Sequence, residues 1–148
     1  MGFTQAINSV LRDNYSNFKG RASRSEYWWF QLFNILVLAV IGGIGGAIIG
    51  ITGGEATDNI GVIALGIAGV IYLLAMLVPL IALQVRRFHD RNMSGWWYLG
   101  LFLAGFIPLV GSVTGITITV ISILKGTDGP NRFGPDPLRP NVTADIFA

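Results

Sequence analysis

The stretch Val85 to Trp97, VRRFHDRNMSGWW, gathers three arginines, the only histidine and an aspartate between two long apolar runs. His89, Asp90 and Ser94 are the residue types of a nucleophilic triad. Types alone do not make one, because such a site needs an oriented hydrogen-bond chain and an oxyanion hole. An adjacent His-Asp pair does not supply the Asp–His geometry within itself. As a metal site, His89 and Asp90 offer two ligands where three or four are wanted. The chain has no cysteine, so thiolate catalysis, disulfides and zinc-thiolate sites are excluded. The reading is therefore not an enzyme, with no catalytic residue, no metal and no cofactor expected.

Arginine is better suited to binding. Its planar fork grips phosphate through two parallel hydrogen bonds. Near an anionic surface each basic side chain contributes about 1 kcal/mol. Arg21, Arg24, Arg86, Arg87 and Arg132 are the candidates for holding an anionic lipid headgroup or an acidic partner. Glu26, His89, Asp90, Ser94 and Asn131 are the expected polar network around them. The competing reading is structural: the arginines fix orientation, and Glu26 and Asp90 pair with some of them to tie helices together. Nucleic acid is not an expected partner, since the basic residues are dispersed and the pI of 9.3 reflects few acids rather than a basic stripe.

The elements that must position these residues are written in the composition. Of 148 residues, 52% are hydrophobic and 12% charged, and mean hydropathy is +0.60. Soluble domains carry about 25% charge, so half that value indicates a membrane protein, with the lipid bilayer as first partner. The N-terminus has no apolar core or cleavage site of a signal peptide. Residues 1–22 place Phe3, Ile7, Val10, Leu11, Tyr15 and Phe18 at helical spacing, an amphipathic interfacial segment or a helix docked on the rest of the chain. Ser23 to Glu26 fits a capping box opening the next helix.

Residues 23–125 form the transmembrane domain, all-α and polytopic, with spans expected at about 27–51, 60–84, 95–107 and 110–124. Trp28 and Trp29, then Trp96 and Trp97, stand where aromatic rings anchor at the interface. Gly42, Gly46 and Gly50 form a G-x-x-x-G ladder that lets a second helix approach closely, in this chain or in a homo-oligomer. Gln31, Asn34 and Gln84 are the strongly polar residues in or near the spans, and Gln31 and Asn34 are expected to bond a neighbouring helix. With no charge inside the spans, an oligomeric transporter or channel is the weaker alternative.

From Trp96 to Leu124 the chain is uncharged for 29 residues, about 43 Å as one straight helix. The break IPLVG, Ile107 to Gly111, divides it. It is either one long kinked span or a hairpin of two short helices. Arginine and lysine arbitrate. They fill the N-terminal segment, the Val85 stretch and the tail 126–148, and are absent from the Glu55 loop. The positive-inside rule then puts both termini in the cytoplasm, which favours the hairpin and four membrane segments.

Several motifs in order carry a resemblance. Phe18, Gly20, Arg21, Arg24, Glu26, Tyr27 and Trp28 lead into the first span. Arg86, Arg87, His89, Asp90, Ser94, Gly95 and Trp96 follow the second. Pro108 and Gly111, then Gly126, Gly129, Asn131, Arg132 and Gly134, complete the pattern. In these the chain resembles the small bacterial inner-membrane proteins of the YhaH type, domain-of-unknown-function family 805, over roughly residues 15–137. The resemblance implies a multi-pass protein of the bacterial inner (plasma) membrane and no particular activity.

Overall fold

The computed structural model describes residues 1–53 and 60–139, so the Glu55 loop lies outside the described residues. Helix α1 spans Phe3–Asn8 and passes directly into a π-helical turn, Ser9–Asp13. Helices α2 (Arg24–Thr52), α3 (Ile60–Asp90), α4 (Gly95–Ala104) and α5 (Val110–Ile123) follow, and no strand occurs among the described residues.

Two helices are long and apolar enough to cross a membrane. α2 has 29 residues and α3 has 31, about 43 and 46 Å at 1.5 Å per residue. α2 opens where the sequence reading placed it: Ser23 Oγ accepts from the Glu26 amide at 3.2 Å. The reciprocal half of the expected capping box is missing, because the Glu26 carboxylate turns instead to Arg86 and Ser9. α2 ends on Gly53, whose φ of 62° is a left-handed conformation that favours glycine.

α3 departs from expectation. The second span is expected at about 60–84, but the helix continues through the R-R-F-H-D stretch to Asp90. Its last turn carries Arg86, Arg87, His89 and Asp90, so these side chains radiate at helical angles rather than along a strand of loop. Asn92, at φ 58°, then reverses the chain, and the Met93 amide bonds back to the Phe88 carbonyl at 3.0 Å.

The segment 95–124 is a hairpin, not one long rod. Arg91, just before α4, donates to the carbonyl of Lys125, just after α5, so both ends meet in one place. The turn is tight because Gly111 lies against the Gly105 backbone, where a Cβ would collide with its carbonyl oxygen. The arms are shorter than the expected 95–107 and 110–124: 10 and 14 residues, about 15 and 21 Å.

The N-terminal helix takes the docked form. Ala6 and Val10 are fully buried, while Tyr15 and Phe18 remain exposed beyond the end of the helical stretch. Val10 joins Tyr27, Phe30 and Leu83 in the core, and Phe3 meets Trp29 edge to face. Tyr15 extends the latch, its hydroxyl donating to the carbonyl of Ala75 within α3.

Candidate functional site

The polar residues converge at one end of the molecule, where α2 begins and α3 and α5 end. Asp90 is the centre. Its Oδ1 accepts from Arg21 Nε at 2.9 Å, and its Oδ2 accepts from Arg87 Nη1. All three residues are buried. Such an arrangement is stable only when every remaining donor is met, because desolvating these charges costs several kcal/mol each.

The remaining donors are met by backbone. Arg21 donates from Nη1 to the Gly129 carbonyl and from Nη2 to the Thr127 carbonyl, both at 2.6 Å. Arg87 donates from Nε to the Ser122 carbonyl at 3.1 Å, and from its Nη atoms to Leu124 and Ala22. The last carbonyls of a helix lack internal partners and carry partial negative charge. Arg87, seated on α3, therefore caps the C-terminus of α5.

A second pair lies alongside. Arg86 Nη1 donates to Glu26 Oε1 at 3.0 Å, and Ser9 Oγ donates to the same oxygen at 3.0 Å. Arg86 Nε and Nη2 are buried without a partner among the described residues, so Glu26 is the one carboxylate the Arg86 side chain engages there. The two clusters are joined through Ala22, whose amide donates to the Arg86 carbonyl at 3.1 Å and whose carbonyl accepts from Arg87.

The tail is threaded into this centre. The Thr127 amide and hydroxyl donate to the Asp90 carbonyl at 2.8 and 3.1 Å. Asn131 Nδ2 donates to the His89 carbonyl at 2.9 Å. Gly126 presses on the Asp90 carboxylate so closely that a Cβ there would overlap it. His89 Nδ1 lies 3.1 Å from the Gly20 carbonyl, and its ring stacks on Phe133 with centroids 3.9 Å apart. A carbonyl only accepts, so Nδ1 carries the proton. Outside the buried centre, Lys125 donates to Asp128 at the surface and holds its carboxyl below the usual carboxylate range.

The expected sites therefore divide. Arg21, Arg86 and Arg87 are internal ties with their contacts directed into the protein. Arg24 is exposed, with no hydrogen-bond or ion-pair partner among the described residues. Arg132 is exposed too; it donates to the Asn92 carbonyl at 2.9 Å and lies over the Phe133 ring. Glu26, His89, Asp90 and Asn131 belong to the network. Ser94 does not: it caps α4, accepting from the Trp96 amide. Trp28, Trp29, Trp96 and Trp97 are all exposed.

Gly42, Gly46 and Gly50 have open space where a Cβ would stand, so no described helix of this chain packs on the ladder. Asn34 and Gln84 bridge helices, to Tyr72 and Ser122 at 2.8 and 2.9 Å. Sequence reasoning missed Thr127 and Ser9, which carry no chemical signature of their own, and met Gly126 only as a residue of the family pattern.

No solved structure matches the chain. The Escherichia coli (strain K12) protein named Inner membrane protein YhaI is 41% identical over 133 residues, covering 87% of this chain and 92% of the relative. The protein named Inner membrane protein YhaH from the same strain is 42% identical over 126 residues, covering 84% and 89%. The family described as Protein of unknown function (DUF805) matches residues 15–135, which span the buried arginines, both long helices, the hairpin and the Asn131 clasp, and the chain belongs to that family.

Proposed function

We propose that this chain is a helical protein of the bacterial inner membrane that engages anionic lipid headgroups through its exposed basic residues at the cytoplasmic face. It is not an enzyme in this reading. The observation that carries it is the division of the arginines. Arg21, Arg86 and Arg87 are consumed internally, while Arg12, Lys19, Arg24 and Arg132 stay exposed at the end that also presents Trp28, Trp29, Trp96 and Trp97. Amphipathic rings favour the headgroup level, and exposed basic side chains beside them meet phosphates there.

In this reading α2 and α3 cross the bilayer. The α4–α5 hairpin enters from the cytoplasmic side and returns to it, since arms of about 15 and 21 Å fall short of a hydrocarbon core of about 30 Å. Both termini are then cytoplasmic.

The test is native mass spectrometry of protein released from nanodiscs containing phosphatidylglycerol and phosphatidylcholine in equal amounts. Wild type retains phosphatidylglycerol preferentially. Arg24→Gln/Arg132→Gln loses roughly fivefold or more of that preference, given about 1 kcal/mol per basic residue. Retention unchanged in the variant would sink the proposal.

A further inference from the structure

The face of α3 opposite the ionic centre carries a groove that the anionic-headgroup reading does not use. It has a volume of about 360 Å³ and lies between α3 and α4, bounded by Phe18, Ile81, Val85, His89, Trp96 and Leu99. That is within the size of a small-molecule site, ~300 Å³ and upward. Its walls are mostly apolar; the hydroxyl-bearing Ser94 and Tyr98 also line it, and one polar group is fixed in role. His89 Nδ1 is committed as donor to the Gly20 carbonyl, so in the neutral ring Nε2 has a bare lone pair. Nε2 faces the groove beside Val85, where α4 approaches so closely that a Cβ on Gly95 would lie 3.5 Å from it. Stacking on Phe133 holds the ring in place.

The groove is also graded along its length. His89, Val85 and Ile81 follow one another at four-residue steps on one face of α3, about 12 Å from first to last. α4 runs the opposite way, so Trp96 stands at the His89 end and Leu99 deeper. One end thus holds a hydrogen-bond acceptor beside an exposed indole at headgroup level. The other, with Ile81 and Leu99, is apolar and points toward the bilayer interior. A ligand matching both ends has a donating head and an apolar chain, oriented as lipids are.

We propose that this groove binds one phospholipid whose headgroup donates a hydrogen bond to His89 Nε2 while an acyl chain lies along Val85, Ile81 and Leu99. The chemistry selects for an N–H or O–H donor in the headgroup and not for charge. Phosphatidylethanolamine qualifies. Phosphatidylcholine, with the same net charge and no donor, does not.

The experiment uses the full chain in nanodiscs of phosphatidylethanolamine and phosphatidylcholine in equal amounts, followed by native mass spectrometry. Neither lipid has net charge, so the ratio is blind to the exposed arginines and can fail independently of the anionic reading. Wild type retains phosphatidylethanolamine over phosphatidylcholine by roughly two- to tenfold, the range for one net hydrogen bond. His89→Phe keeps an aromatic ring for Phe133 but removes the acceptor, and abolishes the preference. Leu99→Trp fills the apolar end, leaves His89 intact, and reduces retention of both lipids.

N,N-dimethylphosphatidylethanolamine gives a control that needs no variant. It keeps one N–H, so the loss of retention must come at the final methyl group. Equal retention of the two parent lipids overturns the proposal, as does a preference surviving His89→Phe or full retention in Leu99→Trp. A dimer that Leu99→Trp dissociates also overturns it, because a second copy then fills the groove.

Discussion

The Tyr15 hydroxyl donates to the carbonyl of Ala75, the group to which residue 79 would donate were it not proline. Proline inside a helix removes one i to i−4 bond and leaves a carbonyl without its partner. In a bilayer that carbonyl has no water to turn to. The N-terminal segment, 60 residues away in sequence, supplies the donor. Pro79 itself is fully buried, whereas Ala75 is exposed, so the Tyr15 hydroxyl is the protein group that meets the break in the ladder.

This relationship predicts an asymmetric double-mutant cycle. Tyr15→Phe should lower thermal stability in detergent by about 1 kcal/mol, the scale of one net hydrogen bond. Pro79→Ala restores the missing amide. In that background Tyr15→Phe should cost much less, because the carbonyl has its helical partner again. Equal costs in both backgrounds would show that the hydroxyl matters for another reason.

Breaking the ionic centre should be severe and directional. Asp90→Asn leaves two buried guanidinium groups without a counter-charge, and removing one partner of a buried pair costs about 3–5 kcal/mol. Arg87→Gln should cost a similar amount, since it uncaps α5 as well. Both variants should release the tail, read as faster tryptic cleavage at Lys125 and Arg132. Asp128→Asn is the control: its pair with Lys125 is largely exposed, so neither stability nor cleavage should change measurably.

Gly126→Ala tests the same centre by sterics alone. The added Cβ would fall on the Asp90 carboxylate, whose two oxygens are held by Arg21 and Arg87. The carboxylate has no free direction to move. We expect lower melting temperature and increased hydrogen exchange at the Thr127 amide. Gly129→Ala would be milder for space, since nothing crowds that position, but strained by its φ of 73°.

The architecture was legible where local chemistry decides it. Ser23 at the head of an apolar run announced α2; Pro108 with Gly111 marked a break, and the basic residues on both flanks favoured the hairpin. The ending of α3 was not legible, because a run of charge after Gln84 reads as an exit from the membrane into a loop. Arg86, Arg87 and Asp90 continue the helix with partners that lie sideways and distant in sequence: Glu26 for Arg86, Arg21 for Asp90, and the carbonyls at the end of α5 for Arg87. The same distance hid the roles of the arginines. Phosphate grip and carbonyl capping require the same residue type, and only three-dimensional placement separates Arg24 from Arg87. Gly126 stood out only as part of the family pattern; its role was hidden for the opposite reason, since its contribution is the absence of a side chain.

The last prediction concerns sidedness. Arg91 donating to the Lys125 carbonyl ties the two ends of the α4–α5 hairpin together, and Asn131 bonding the His89 carbonyl ties the tail to the end of α3. Asn17, Asn92 and Asp128 must then share one side of the membrane, whether the hairpin dips or crosses. The chain has no native cysteine, so single substitutions report cleanly. Asn17→Cys, Asn92→Cys and Asp128→Cys should all resist a membrane-impermeant maleimide in intact spheroplasts and react after permeabilisation. Phe106→Cys, at the exposed apolar tip of the hairpin, discriminates the two geometries. A tip that stops within the hydrocarbon core stays unreactive from both sides. A tip that crosses reacts from outside. Arms of about 15 and 21 Å place the tip inside the core, so protection from both sides is the expected result, and external labelling would show that the segment crosses fully.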